Sequence, residues 1–244
     1  MEVERKALAM SGSPRLPAAR WTSVALFLLV TQIAAASTPR VVLELFTSQG
    51  CSSCPPADAL VGRLTANPDV LVLSLHVNYW DRLGWKDTFS SNVATDRQYA
   101  YARSLGERTV FTPQLVVNGA QSVVGSQGGA VLHAVETSSQ GPPFPVQLDL
   151  TRQSDGHFTL SLTGPKVRAD VWELRYVRRA VTQIRNGENG GRTLETYNNV
   201  TQLHRLGTFT PGTLDLAPLK SPEDGVAILV QSPGTGRVLG AAAY

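Results

Sequence analysis

Two cysteines, Cys51 and Cys54, stand three positions apart between an apolar strand pattern and a helix pattern. The strand is predicted at residues 41–46, and the helix at residues 57–64, where apolar side chains recur at the spacing of one helix face. A strand that enters a helix in this way puts Cys51 at the helix N-terminus, where unpaired N–H groups and the helix dipole favour a thiolate. Because the thiolate is the nucleophilic form of cysteine, the pattern predicts a redox-active pair.

In this interpretation Cys51 attacks a substrate sulfur, and Cys54, one helical turn further on, resolves the mixed disulfide. The reaction needs no diffusible cofactor and no metal. Two other interpretations of the pair stay open. A structural disulfide across so short a loop would stabilise the chain by only about 2 kcal/mol. Half of a zinc site would need ligands beyond the two cysteines that the chain contains.

The residues from 40 to about 140 alternate between strand and helix patterns. Residues 70–77 form a nearly continuous apolar run, which is typical of a strand buried on both faces. Asn118 and Gly119 stand between two short apolar runs and predict a tight hairpin. The other elements are predicted at residues 92–105, 114–117, 121–124 and 126–137. The resulting order is β-α-β-α-β-β-α, which indicates an α/β domain with a mixed sheet.

After a linker-like segment at residues 138–145, the apolar period changes to two. Alternation is clear at residues 146–151, 158–163 and 172–176, and closing strands are predicted at 226–230 and 237–244. Several short strands with turn signals between them indicate an antiparallel β-sandwich. The sequence therefore predicts two domains after the N-terminal segment, an α/β domain at residues 38–140 and a β-sandwich domain at residues 146–244.

Residues 1–36 have the pattern of a signal peptide. Two arginines precede an apolar run that begins at Val24, and the alanines at 34–36 provide a small-residue cleavage site. A start at Met10 would give this segment a more usual length. The apolar run is about half of the roughly 20 residues that span a bilayer, so no stable membrane anchor is expected after cleavage. We expect an exported protein, periplasmic or secreted, whose cysteines meet an oxidising compartment.

The charge of the chain argues against nucleic acid as a partner. Residues 1–36 hold four of the 22 basic and two of the 19 acidic side chains, which leaves the rest at a net charge of +1. A surface so balanced lacks the basic excess that binds phosphate backbones. The expected partners are a protein or peptide that carries a thiol or disulfide, and a second redox protein that exchanges electrons with the cysteine pair.

Three strings of sequence resemble known families: VVLELFTSQGCSSCPPAD, HVNYWDRLGWKDTFSS and FTPQLVVNG. The order of features resembles that of the thioredoxin superfamily: a strand leads to a CxxC pair on a helix, and Thr112-Pro113 stands before a hairpin strand. The strings together look closer still to a secreted bacterial family catalogued as domain of unknown function 1223. The resemblance implies a thioredoxin-like fold for residues 38–140 and a thiol–disulfide oxidoreductase activity, and it gives neither the direction of the reaction nor its substrate.

The resemblance also implies roles for individual residues. Pro113 would follow a cis peptide bond and shape a groove beside the cysteine pair. Glu44, in the first strand, would be a buried acid that moves protons for the inner cysteine. Without the resemblance, Pro113 is a proline that opens a strand, and Glu44 is an edge-facing or capped carboxylate.

Strand direction brings further side chains toward Cys51. The first two strands are parallel and end at the same edge of the sheet, where open α/β sheets hold their sites. The strand after Pro113 runs the other way and begins at that edge. The side chains expected to bind substrate there are those of Tyr79, Trp80, Asp81, Trp85, Phe111 and Thr112. Their apolar rim would suit an extended peptide, although the two tryptophans could simply pack the loop onto the domain.

Two other functions stay open, and with them the question of whether the chain is an enzyme. The first is a non-catalytic secreted binding module, in which the disulfide is inert and the sandwich domain carries recognition. The second is a copper or zinc carrier, in which His76 at the end of the buried strand joins the cysteines as a ligand.

Overall fold

A computed structural model of the chain describes residues 36–221 and 224–244. The first half contains β1 (Val41–Thr47), α1 (Pro55–Leu64), β2 (Val70–His76), α2 (Asn92–Leu105), β3 (Gln114–Val117), β4 (Gln121–Val124) and α3 (Gly128–Ser139). The second half contains β5 (Gln147–Arg152), β6 (Phe158–Thr163), β7 (Asp170–Gln183), β8 (Thr193–Thr208), β9 (Gly212–Leu216), β10 (Asp224–Gln231) and β11 (Val238–Ala243). The predicted elements of the first half agree with these bounds to within two residues.

The predicted signal peptide lies outside the described residues, apart from Ala36. Within residues 36–221 and 224–244, no helix is both long enough and apolar enough to cross a membrane.

The strands form two sheets, and the chain has a mixed α/β architecture. The larger sheet has eight strands in the order β11-β10-β7-β8-β2-β1-β3-β4, and the smaller, antiparallel sheet has three in the order β5-β6-β9. In the larger sheet β1 is parallel to β2 and antiparallel to β3. The C-terminal ends of β1 and β2 and the start of β3 therefore meet at one edge, as the sequence predicts.

All residues of β1 are buried, and they alternate between two cores. Val41, Leu43 and Leu45 pack with apolar residues of α1 and α3. Val42 and Phe46 pack on the opposite face, in a core that includes residues of α2. Because each fully buried side chain of this size contributes roughly 1.5–3 kcal/mol, both faces strongly fix the register of β1. Alternation also puts Glu44 on the α2 face of the sheet.

The strands of the second half divide between the two sheets, since β5, β6 and β9 form the smaller one. β7, β8, β10 and β11 continue the sheet that β1–β4 begin, and β8 joins β2 through the parallel pair Ser74 and Asn199. Apolar residues of β5 and β6 pack against those of β10 and β11 in a further core. The described residues belong to one compact unit. Strands from both sides of the segment at 138–145 therefore share the larger sheet.

The β3–β4 turn requires a left-handed backbone at both of its central residues. Asn118 has φ 49° and Gly119 has φ 62°. A Cβ atom on Gly119 would lie 2.3 Å from the carbonyl oxygen of Gly236, so a side chain meets both strain and a backbone clash. We expect Gly119→Ala to lower the free energy of unfolding by about 2 kcal/mol or more, measured by urea denaturation. Gly129→Ala is the control, since a Cβ atom there meets nothing within 4 Å; equal effects of the two substitutions would contradict the prediction.

Candidate functional site

The two cysteines form a disulfide at the point where the chain passes from β1 into α1. Their Cα atoms are 5.4 Å apart. Cys54 is the N-cap of α1, and the two prolines that follow it fill the first turn, where a missing N–H costs little. The side chains of both cysteines are 0% exposed. The predicted position of the pair at a helix start agrees with the structure, and the disulfide is covered by other parts of the chain.

One side of this cover comes from Trp80 and from the loop before β3. The Thr112 hydroxyl donates a hydrogen bond to Cys51 Sγ at 3.3 Å and accepts one from Trp80 Nε1 at 2.8 Å. The peptide bond between Thr112 and Pro113 is cis, as the resemblance implies. Ser53 Oγ lies 3.3 Å from Cys51 Sγ and donates to the Thr112 carbonyl at 3.4 Å. Of the predicted neighbours, Thr112 thus contacts Cys51 directly, and Trp80 is joined to it through the Thr112 hydroxyl. Pro113 follows Thr112 in the chain.

Trp85 reaches the site indirectly, through Gln49. Its indole Nε1 donates to Gln49 Oε1 at 3.0 Å, and the Gln49 side chain in turn donates to Thr88 Oγ1 at 3.0 Å. The backbone N–H of Gln49 donates to the Asp87 carboxylate at 2.7 Å. These contacts hold Gln49, which lies two residues before Cys51. Trp85 therefore fixes the backbone that leads to the disulfide, and none of its observed contacts is with the cysteines.

The remaining predicted neighbours hold the loop rather than the cysteines. The Tyr79 hydroxyl donates to the side chain of Gln98 at 3.2 Å, and Gln98 Nε2 donates to the Phe111 carbonyl at 2.7 Å. Burial raises the pKa of Tyr79 to about 12. The Asp81 carboxylate accepts from Ser90 Oγ at 2.7 Å and from the backbone N–H of Asp87 at 3.2 Å. Tyr79, Asp81 and Phe111 therefore tie the loop and β3 to α2 or to each other, and their side chains make no observed hydrogen bond to the cysteines.

Glu44, to which the resemblance assigns a proton-transfer role, is buried and bonded to side chains of α2. Its carboxylate accepts two hydrogen bonds from the guanidinium of Arg97 in α2, with Arg97 Nη2 at 2.9 Å from Oε1. The Tyr101 hydroxyl also donates to it. Burial, together with the Glu44 charge, raises the pKa of Tyr101 well above its ordinary value. These contacts lie on the α2 face of β1, whereas α1 packs on the other face, and no hydrogen bond observed among the described residues joins Glu44 to the cysteines.

A buried acid on the correct face is Asp58, which the sequence prediction missed. It lies in α1, four residues after Cys54, and its backbone N–H donates to the Cys54 carbonyl at 3.1 Å. Thr47 Oγ1 donates to its carboxylate at 2.8 Å. Burial raises its pKa to about 6, an effect that the nearby His76 partly offsets. The signal was present in the sequence, since an aspartate three residues before Val61 lies on the apolar face of the predicted helix.

His76 uses both of its ring nitrogens within the protein. Nδ1 lies 2.7 Å from the Asp87 carboxylate, and Nε2 lies 2.9 Å from Asn199 Oδ1. Burial lowers the pKa of His76, but the charges of Asp87 and Asp58 and the hydrogen bonds to Asp87 and Asn199 together raise it above its ordinary value. Burial raises the pKa of Asp87, but the charge of His76 and the hydrogen bonds from His76 and two backbone N–H groups together hold it below its ordinary value. Among the described residues, no group of three or more His, Cys, Asp or Glu side chains is arranged to hold a metal ion.

The other side of the cover comes from the second half of the chain, from the segment between β7 and β8. We call residues 184–192 the Asn189 loop. Asn189 Nδ2 donates to the backbone carbonyls of Gln49 and Cys51, each at 2.9 Å. Glu188 Oε2 accepts a hydrogen bond from the backbone N–H of Ser52 at 3.0 Å. Nothing in the local sequence indicates that this stretch reaches a residue about 140 positions earlier.

A cavity of about 750 Å³ lies far from the disulfide along α1 and β2. It is lined by Thr65 and Pro68, which follow the C-terminal end of α1, and by Val70, the first residue of β2. The cysteine pair lies beside the opposite ends of these elements. The cavity is therefore not a substrate pocket for the cysteines.

This geometry defines a mixed α/β protein with a buried CxxC disulfide at the start of a helix. The chain belongs to the family described as Protein of unknown function (DUF1223), whose model matches residues 42–231. It is similar to a protein from Agrobacterium tumefaciens solved by X-ray crystallography, with 29% sequence identity and a TM-score of 0.72 over 84% of this chain and 93% of that chain. No curated protein matches the chain at a significant level. The matched segment includes both the cysteines and the Asn189 loop.

Proposed function

We propose that the protein is an exported thiol–disulfide oxidoreductase with Cys51 as its nucleophile. The observation that carries the proposal is the environment of Cys51, whose sulfur lies at the start of α1 and accepts a hydrogen bond from the Thr112 hydroxyl beside a cis proline. The N–H groups of a helix start favour the thiolate over the thiol. Export rests on the signal-peptide pattern of residues 1–36, and an oxidising compartment is where such a disulfide persists.

The proposal includes a thioredoxin-like fold for residues 38–140. Four features support it: the strand order β2-β1-β3-β4, the parallel pairing of β1 with β2, the antiparallel pairing of β3 with β1, and the helices on both faces of this part of the sheet. In this arrangement the cysteines and the cis proline lie at the same edge. That is where an extended substrate could lie beside Cys51.

The proposed reaction moves two electrons from the protein to a substrate disulfide. The Cys51 thiolate attacks one substrate sulfur, the substrate S–S bond breaks, and the sulfur that leaves takes a proton. The Cys54 thiol then loses a proton and attacks Cys51 Sγ, which breaks the mixed disulfide and releases the second substrate thiol. A partner dithiol protein returns the two electrons. Run in the opposite direction, the same steps oxidise a substrate dithiol.

In this proposal Asp58, rather than Glu44, takes the proton from Cys54. Residues four apart on a helix lie on the same face, so Asp58 is one turn below Cys54. A buried carboxyl with a pKa of about 6 exists in both protonation states near neutral pH, as a proton acceptor requires. A thiol gives up its proton readily only if an acceptor of this kind is close to it.

A second function is favoured by one specific observation, the complete burial of both cysteines. A disulfide without exposed surface suits a binding module in which the bond is inert. The two functions differ in whether mild reductants reach the bond. Thiol alkylation after treatment with glutathione distinguishes them, because an inert disulfide stays unmodified.

The experiment that tests the proposal compares the wild type with Cys51→Ser and Cys54→Ser in insulin reduction and in oxidation of a dithiol peptide. We expect Cys51→Ser to reduce the rate to that of the protein-free reaction. Cys54→Ser keeps the nucleophile and should accumulate a mixed disulfide with the substrate. If the wild type exchanges no thiols in either assay, or if Cys51→Ser retains its rate, the proposal fails.

A further inference from the structure

We propose that the Asn189 loop is a working part of the cysteine site, in which Asn189 fixes the backbone that carries Cys51 and the Glu188 carboxylate opposes ionisation of the Cys51 thiol. The inference rests on the proposed function only in taking Cys51 as the reactive thiol. Both residues are then positioning residues, since they act on Cys51 through the backbone and through charge.

Asn189 is built into the site. Its side chain is 0% exposed, and its single amide nitrogen bridges the carbonyls on both sides of Gly50. The orientation of the amide is set from its other end, because Arg192 Nη1 donates to Asn189 Oδ1 at 2.8 Å. The NH₂ group must therefore face Gln49 and Cys51. A buried carbonyl that lacks a donor is destabilising, so these bonds hold the turn in one conformation.

Glu188 acts on the turn between the two cysteines, just before the helix start. Its exposed carboxylate binds the N–H of Ser52, the first backbone donor after Cys51, which precedes the N-cap Cys54. Nearby N–H groups and the positive end of the helix dipole stabilise a thiolate at this position. A carboxylate that occupies the Ser52 N–H and adds a negative charge disfavours a second negative charge on Cys51. The bond to Ser52 also lowers the pKa of Glu188 itself, so Glu188 is ionised when Cys51 titrates.

The other charged groups around the pair are held by partners of their own. Asp58 in α1 accepts from Thr47, and His76 in β2 is paired with Asp87. Asp81 accepts from Ser90, as described above. In the described part of the chain, Glu188 is the acidic side chain observed to bind the backbone between the two cysteines. Neutralising it leaves these other groups in place and isolates its effect.

The consequence is a disulfide that is harder to reduce than one without the carboxylate. The couple converts the disulfide, two electrons and two protons into two thiols. A group that disfavours the Cys51 thiolate makes the reduced form less stable, and the reduction potential becomes more negative. In the proposed reaction Glu188 therefore favours electron donation by the protein over oxidation of substrates.

The test is Glu188→Gln in the full chain, with Glu136→Gln as the control. Glutamine keeps an oxygen that can accept from Ser52 and removes only the charge. Glu136 is exposed in α3, and the end of that helix contacts Arg40 just before β1, at the sheet edge opposite the cysteines. The readouts are the pKa of Cys51, from the pH dependence of iodoacetamide alkylation of the reduced protein, and the reduction potential against glutathione.

We expect Glu188→Gln to lower the pKa of Cys51 by about half a unit to one unit and to make the reduction potential less negative. Glu136→Gln should change neither value. Unchanged values in Glu188→Gln would overturn the role of Glu188. Asn189→Ala should shift the same two values, and a loss of stability alone, with both values unchanged, would overturn the role of Asn189.

These readouts separate the inference from the proposed function. A wild type that is inactive on insulin and on dithiol peptides, with a Cys51 pKa that still shifts in Glu188→Gln, rejects the function and supports the inference. An active wild type whose Cys51 pKa does not respond to Glu188→Gln supports the function and rejects the inference.

Discussion

Arg97→Met is expected to lower the free energy of unfolding by about 3–5 kcal/mol. Arg97 is 4% exposed and its partner Glu44 is 1% exposed, so neither charge is solvated. The guanidinium makes two hydrogen bonds to the Glu44 carboxylate and one, at 3.0 Å, to Gln231 Oε1. It also stacks 5.2 Å from the centre of the Tyr101 ring. Removing Arg97 leaves the Glu44 charge buried in the central strand without a counter-ion.

Urea denaturation at pH 7 measures this effect. Arg103→Met is the matched control, because Arg103 lies in the same helix, is exposed and has no role in this network. The double variant Glu44→Leu with Arg97→Met should recover much of the lost stability, since it buries no charge at all. If Arg97→Met is no less stable than Arg103→Met, the ion pair does not hold β1 to α2 in the way described.

Asp58→Asn is expected to raise the free energy of unfolding by about 3 kcal/mol at pH 8 and to change it little at pH 4. The pKa of Asp58 in the folded protein is about 6, against an ordinary value of 3.8. The folded state therefore binds the proton more tightly than the unfolded state does. In the wild type, the contribution of Asp58 to the free energy of unfolding is most favourable below about pH 4, where the carboxyl is protonated in both states. This contribution is lost as the pH rises through 6, and it changes no further at higher pH.

Asparagine mimics the protonated carboxyl at every pH and still accepts a hydrogen bond from Thr47. The measurement is urea denaturation of the variant and the wild type at pH 4, 6 and 8. His76 keeps Asp87 as its partner in both proteins, but the variant lacks the Asp58 charge that helps to raise the pKa of His76, so the pH profile reports Asp58 together with this coupling. Asp96→Asn, at an exposed position in α2, is the control and should show no such pH dependence. If the free energy of unfolding depends on pH in the same way in the variant and the wild type, burial does not raise the pKa of Asp58.

The elements that the sequence predicted well are those with a local signal. β1 and β2 are continuous apolar runs, α2 ends at Gly106 with φ 71°, and the turn of the β3–β4 hairpin is specified by Asn118 and Gly119. β8 was not predicted, because its apolar residues follow neither the period of a helix nor that of a strand. Its buried residues include Thr196 and Asn199, whose burial depends on neighbours in space. No local pattern indicates that β8 pairs with β2, a strand more than 100 positions earlier in the chain.

The residues of the site likewise fall into those that the sequence predicted and those that it did not. Cys51, Trp80 and Thr112 come together because strand direction alone brings their segments to one edge. The face on which Glu44 lies was not predicted, because it depends on parity: a shift of one residue along a strand moves a side chain to the other side of the sheet. Asn189 and Glu188 could not be predicted, since their contacts depend on how far the β7–β8 hairpin extends over the sheet edge.

The junction between β2 and β8 prevents the cysteine-bearing half from standing alone. All seven residues of β2 are buried, and β8 covers the edge of β2 that β1 leaves open. A fragment that ended near residue 145 would expose this apolar strand with unpaired N–H and C=O groups, which recruits other chains and leads to aggregation. We therefore expect the two halves of the chain to fold as one unit.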